Sequence, residues 1–182
     1  MTEVTTVYDR FTELAKRSLV AARDAAASLG HDFIGTEHLL LGLAQTAGTA
    51  SEVLRAQGVE LGRLRAEIVR QSAANSSAAP QGQAAKDALF TLGIDVAEIQ
   101  RRADETFGPG AFQYPRPAYS LRTKKVLQSA LQETIGMGRQ RMDTEHLLLG
   151  LLTENDGAGV QALTALGLEP ETLRRSVLER AA

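Results

Sequence analysis

Three histidines (His31, His38 and His146), the carboxylates Glu37 and Glu145, and the hydroxyls of Thr36 and Thr144 are the residues whose types and spacing invite a chemical reading. His38 and His146 each follow a Glu inside the string TEHLLLGL, which occurs unchanged at residues 36–43 and again at 144–151. A metal site needs convergent ligands. Two equivalent helices would hold His38 and His146 apart, so their expected role is core or capping hydrogen bonding, with no metal. No Ser-His-Asp spacing or paired-carboxylate pocket is suggested, and the phosphate-cradling G-x-x-x-x-G-K-[ST] pattern is absent, since Gly-Lys never occurs. The chain reads as non-enzymatic and implies no cofactor.

The elements that carry these residues follow from the repeated string. Each copy opens on a hydroxyl residue suited to capping a helix, places a carboxylate on the first turn and runs into leucines and a glycine. Each copy is therefore expected to start a buried helix. On that reading alone, Glu37 and Glu145 stabilise helix N-termini, an effect of about 0.3–1 kcal/mol each.

The surrounding chain repeats as well. Residues 1–10 read as a loose arm ending near Tyr8. Leu14, Ser18, Leu19, Ala22, Ala25 and Ala26 have helical spacing, with Thr12 as N-cap and Gly30 as terminator. His31–Gly35 connects to a second helix from Thr36 to about Ala47. A third is expected over Ser51–Gln57, closed by Gly58, and a fourth over residues 60–71 on Leu61, Leu64, Ile68 and Val69. A shift of 108 positions aligns Phe11 with Tyr119, Lys16 with Lys124, Gly30 with Gly138 and Glu37 with Glu145. One inserted residue later, Leu54 aligns with Leu163 and Gly58 with Gly167. The duplication spans 11–70 and 119–179. Four segments follow: an arm (1–10), repeat 1 (11–71), a linker region (72–118) and repeat 2 (119–182).

Within the linker region, Ser72–Ala85 is Ala, Ser, Gln, Gly and Pro without an apolar period, expected to be flexible. Asp87–Phe107 resembles the back half of each repeat, an extra helical half-repeat, and GPGAFQYPRPA (108–118) is an extended, Pro-fixed connection. A unit of about 60 residues buries too little surface to be comfortably stable alone. Two such units related by a pseudo-twofold axis and sharing one core give the expected fold: one all-α domain, without a sheet.

Composition narrows the class. With 43% apolar and 23% charged residues the chain is an ordinary globular protein rather than a disordered one. A net charge of -2 gives no overall field for nucleic acid or an anionic membrane, and the pairs Arg101/Arg102 and Arg174/Arg175 read as solvated helix faces. The absence of cysteine excludes disulfides and thiolate chemistry and fits a cytoplasmic location. No basic leader and no apolar run of membrane-spanning length is seen, so no membrane association is expected. An all-α DNA-binding regulator and a general interaction scaffold remain alternative readings.

RFTELAKRSL followed by LGHDFIGTEHLLLGL, and SLRTKKVLQSA followed by MDTEHLLLGLL, resemble the double Clp N-terminal (Clp repeat) domain found at the front of ClpC- and ClpA-type unfoldases. The resemblance implies a substrate and adaptor docking module, here expected to be free-standing because the ATPase signature is missing. It implies that Glu37 and Glu145 contribute to pockets for phosphoarginine, a mark on proteins destined for degradation. A carboxylate can take a guanidinium, while helix N-terminal N–H groups and the hydroxyls of Thr12 and Ser120 can take a phosphate. Repeat 2 has Asp143 beside Glu145, which implies a weaker second site. The resemblance further implies an inter-repeat groove for cyclic peptide antibiotics formed by Tyr8, Lys16, Arg23, Tyr119 and Lys124, with Tyr at both aromatic positions where the family usually has Phe. The implied partners are Clp unfoldase or protease components, their substrates, phosphoarginine proteins and such antibiotics.

Overall fold

The computed structural model describes residues 7–75, 91–93, 98, 101–102, 105–106 and 117–182. A 3-10 turn, Val7–Arg10, leads into repeat 1, whose helices are α1 (Glu13–Ser28), α2 (Thr36–Gln45), α3 (Thr49–Ala56) and α4 (Leu61–Asn75). Repeat 2 mirrors them with α5 (Leu121–Gly136), α6 (Thr144–Leu152), α7 (Ala158–Ala165) and α8 (Pro170–Ala181). The expected extra half-repeat at 87–107 and the extended connection at 108–118 lie largely outside the described residues, as does the Tyr8 side chain. Ser72–Asn75, read from composition as the start of the linker, instead continues α4.

Helix ends follow local chemistry. Thr12 and Ser120 cap α1 and α5, each accepting from the backbone N–H three residues on, Ala15 at 3.2 Å and Thr123 at 3.1 Å. Gly30 and Gly138 close the same two helices with φ of +71° and +68°, a conformation that costs a glycine nothing.

The leucines of the repeated string form the centre of the molecule. Leu39, Leu40, Leu41 and Leu43, with Leu147, Leu148, Leu149 and Leu151, are all 0% exposed and belong to one hydrophobic cluster that runs through both repeats. The glycine of the string sets how closely helices cross. A Cβ on Gly42 would fall on the Ser18 carbonyl and lie 2.8 Å from Ala22 N, so α2 can lie this close to α1 only with a glycine there. At Gly150 the equivalent Cβ would meet Val126 O at 2.5 Å and Ala130 N at 2.7 Å on α5. On α4 the apolar stripe is narrower than its spacing suggests: Leu64 and Ile68 are buried, whereas Leu61 and Val69 are 42% and 45% exposed.

The repeats also exchange parts. Helix α7 of repeat 2 packs on α2 and α4 of repeat 1, and α3 of repeat 1 packs on α6 and α8 of repeat 2. Short strands join the repeats as well, in place of the sheet-free fold expected. Phe33–Ile34 (β1) pairs in parallel with Ala118–Tyr119 (β2), and Phe11 bridges Met142. Under the 108-residue shift Ile34 maps to Met142 and Phe11 to Tyr119, so strand and bridge are mates of one another. They form because the chain entering one repeat's second helix runs beside the chain entering the other's first.

Candidate functional site

The site is built at the N-termini of α2 and α6. Their N-caps are Gly35 and Asp143, which displaces Thr36 and Thr144 from the capping role expected of them. His38 and His146, three residues past the cap, accept from the cap's own backbone N–H through Nδ1, each at 2.9 Å. Each histidine thus occupies the position that Glu or Gln takes in a capping box. Because Nδ1 accepts, the hydrogen-bond network assigns the ring proton to Nε2.

In repeat 1 that proton is donated to His31 Nδ1 at 2.8 Å. The His31 ring stacks in turn on Phe33, with centroids 5.9 Å apart and planes 13° from parallel. His31, Glu37 and His38 bring ligand-type atoms within 4.8 Å of one another, a convergence the spacing of the histidines did not suggest. Both His38 nitrogens are committed to hydrogen bonds, so the cluster is a Gly35–His38–His31 relay without a free His38 lone pair for a metal. In repeat 2 Arg139 stands at the position of His31, and His146 Nε2 is buried with no hydrogen-bond partner among the described residues. Burial lowers the pKa of both capping histidines: His38 to about 4, with the nearby His31 adding to the effect, and His146 downward as well.

Thr36 and Thr144 serve the opposite repeat. Gly159 N–H donates to Thr36 Oγ1 at 3.0 Å, and Ala50 N–H donates to Thr144 Oγ1 at 3.4 Å. Both donors sit on the first turns of α7 and α3, whose own N-caps, Gly157 and Gly48, have no side chain to offer. A Cβ at Gly157 or Gly48 would lie 3.0 or 2.8 Å from the threonine oxygen, which accounts for glycine at both caps.

Glu37 and Glu145 stand beside these caps, their side chains only 12% and 16% exposed. Among the described residues neither carboxylate has a Lys or Arg within ion-pairing distance; the nearest cationic-type nitrogen is the neighbouring His Nδ1, at 3.6 Å from Glu37 and 3.9 Å from Glu145. Burial raises the Glu37 pKa against the opposing pull of its own backbone N–H and of His31. The Glu37 carboxylate folds back over Gly35, where any Cβ would collide with it. At the mate position Asp143 uses its carboxylate to accept from Thr144 N–H at 2.7 Å, so Glu145 shares its site with a second negative charge.

The starts of the two first helices meet the segments leading into these carboxylates crosswise. Ser120 N–H donates to Ile34 O at 3.0 Å, which sets the start of α5 beside the segment leading into Glu37. Thr12 N–H donates to Met142 O at 2.9 Å, and Met142 N–H donates to Arg10 O at 2.6 Å, which does the same for Glu145. The capped start of each first helix therefore lies beside the segment leading into the other repeat's second helix. Of the remaining expected residues, Lys16, Arg23 and Lys124 lie further along the first helices. Lys16 and Lys124 sit one turn past Thr12 and Ser120; Lys16 pairs with Glu13 at 2.8 Å and Lys124 is exposed. Arg23 approaches Asp24 at 3.8 Å, and Tyr119 is half-buried on β2, packed against the core.

A duplicated all-helical domain with this crossed architecture is a Clp N-terminal fold. Residues 10–91 and 118–182 match the Clp repeat (R) N-terminal domain, and the chain belongs to that family. It is 32% identical over 173 residues to the chaperone protein ClpB of Oceanobacillus iheyensis and, again 32% over 173 residues, to the negative regulator of genetic competence ClpC/MecB of Bacillus subtilis. Both matches cover 95% of this chain but only 17% of those proteins. Among solved structures it is similar to the N-terminal domain of the caseinolytic protease associated chaperone ClpD from Arabidopsis thaliana, with a TM-score of 0.63 at 24% identity over 98% of each chain. The Hsp104 N-terminal domain from Candida albicans follows at a TM-score of 0.59, 15% identity, and 94% and 91% coverage. At these identities the structural likeness bears on the fold alone. No helix among the described residues is long and apolar enough to cross a membrane.

Proposed function

We propose that this chain is a non-catalytic docking module of the Clp proteolytic system that binds phosphoarginine-marked proteins or other ClpC N-domain ligands, as adaptor or decoy. The observation that carries the reading is the pair of largely buried carboxylates, Glu37 and Glu145, held at helix N-termini with no Lys or Arg partner among the described residues. Removing a carboxylate from water without a cation is costly, and a ligand guanidinium would supply the missing charge in a bidentate pair. The adjacent starts of α5 and α1, capped by Ser120 and Thr12, offer N–H groups and hydroxyls of the kind that hold a phosphate.

Titration of phosphoarginine into the protein and into its Glu37→Ala/Glu145→Ala variant tests this. Saturable heat in the first and none in the second is the expected result. Equal or absent heat in both would remove the pocket assignment. The inter-repeat surface at Tyr119, Lys16, Arg23 and Lys124, together with Tyr8, is the proposed place for cyclic peptide antibiotics, which should then leave phosphoarginine binding intact.

A further inference from the structure

The two composite sites share their inner parts and differ at the rim. Around Ser120 and Glu37 the rim is apolar. Phe33 on β1 is 48% exposed, and Leu121, the residue that follows the Ser120 cap, is 80% exposed. At the mate site the same positions are Arg141 and Glu13, both exposed. Glu13 is held below the usual carboxylate range first by Lys16, then by Arg17 and Arg141, so that rim is a lattice of mixed charge. The duplicated fold makes this a controlled comparison: one backbone arrangement carries two large apolar side chains in solvent on one side and opposite charges on the other.

Phe33 stacks on His31 beside the Gly35–His38 cap, and Leu121 follows Ser120, so each stands on a segment adjoining the Glu37–Ser120 pair. Large apolar groups beside a polar pocket favour a bound chain that covers them, because covering them removes apolar surface from water. We infer that the Glu37–Ser120 site is selective for a phosphoarginine that stands next to a large apolar residue in the bound peptide, whereas the Glu145–Thr12 site lacks this preference. The inference rests on the phosphoarginine reading given above. It names the sequence context that one of the two sites accepts.

Two peptides that differ only in the residue flanking phosphoarginine, Leu in one and Asp in the other, provide the test. They are titrated, alongside free phosphoarginine, into the full chain carrying Glu145→Ala, which leaves the Glu37 site alone. The Leu peptide is expected to bind about tenfold more tightly. Adding a rim exchange, Leu121→Ser, should bring the two peptides to parity while free phosphoarginine binds as before. Leu121 is 80% exposed, so folding is retained, and circular dichroism verifies it. Equal affinities for the two peptides before the rim exchange, with free phosphoarginine still bound, would overturn the rim inference and spare the pocket. Failure of free phosphoarginine to bind the wild-type chain would overturn both.

Discussion

Thr36 Oγ1 accepts the backbone N–H of Gly159 at 3.0 Å across a separation of 123 positions, so a side chain of one repeat caps a helix of the other. Thr36→Val keeps the shape and deletes the acceptor, leaving a buried N–H unpaired at about 1–2 kcal/mol. Denaturant titration should show a lower midpoint with one cooperative transition. Thr144→Val should cost less, because its bond to Ala50 is longer, at 3.4 Å.

Gly42→Ala and Gly150→Ala force a methyl group into backbone on the facing helix. A loss of about 1–3 kcal/mol in each is expected from overpacking. The crossing angle cannot relax on one side alone, because α2 and α6 also pack against each other. Thermal melts of the two single variants check this, and a gain in stability from either would refute the close-crossing account.

Acid should weaken the fold in a defined window. His38 titrates near 6.5 in the unfolded chain and near 4 when buried, so between those values the unfolded state binds the extra proton. Stability from this residue is therefore full above pH 6.5 and declines as the pH falls towards 4, by on the order of 3 kcal/mol. His38→Gln retains an acceptor at the capping position and should flatten the stability profile over that range.

His146 Nε2, without a hydrogen-bond partner among the described residues, marks a repairable defect. Arg139→His would place an imidazole where repeat 1 has His31 and could receive that proton, for a gain of about 1 kcal/mol. The substitution also removes the exposed bond from Arg139 to the Ala181 carbonyl, so the gain should survive deletion of Ala181 and Ala182. Nitrogen NMR shifts of the His146 ring would report whether the new bond forms.

Gly35→Asp copies the residue that repeat 2 has at this position. It should dislodge the Glu37 carboxylate and set a second negative charge beside it, weakening phosphoarginine binding at that site about tenfold or more. Comparison in a Glu145→Ala background isolates the effect.

The duplication and the helices were legible because the string TEHLLLGL and the spacing of Leu19, Ala22 and Ala26 are local signals, and local periodicity reports which face of a helix is buried. Periodicity does not report against which partner. Nothing in the sequence around Val160 or Val53 says that α7 and α3 pack into the opposite repeat. For the same reason Thr36 looked like the cap of its own helix, when its backbone is already helical and its hydroxyl faces Gly159. Strands of two residues are too short for an alternating pattern to register, so β1 and β2 were hidden. At the candidate site, the first-turn positions of Glu37 and Glu145 followed from the string itself. The crosswise approach of Ser120 and Thr12 did not, since it depends on backbone bonds to Ile34 and Met142 made between repeats.

Helices α3 and α7 each complete the half of the molecule to which they do not belong. The two repeats are thus complementary fragments, joined through the connection between residues 75 and 118. Cleaved there, the fragments should find one another in solution and rebuild the shared core, a split-protein reconstitution that two self-contained domains would have no reason to perform.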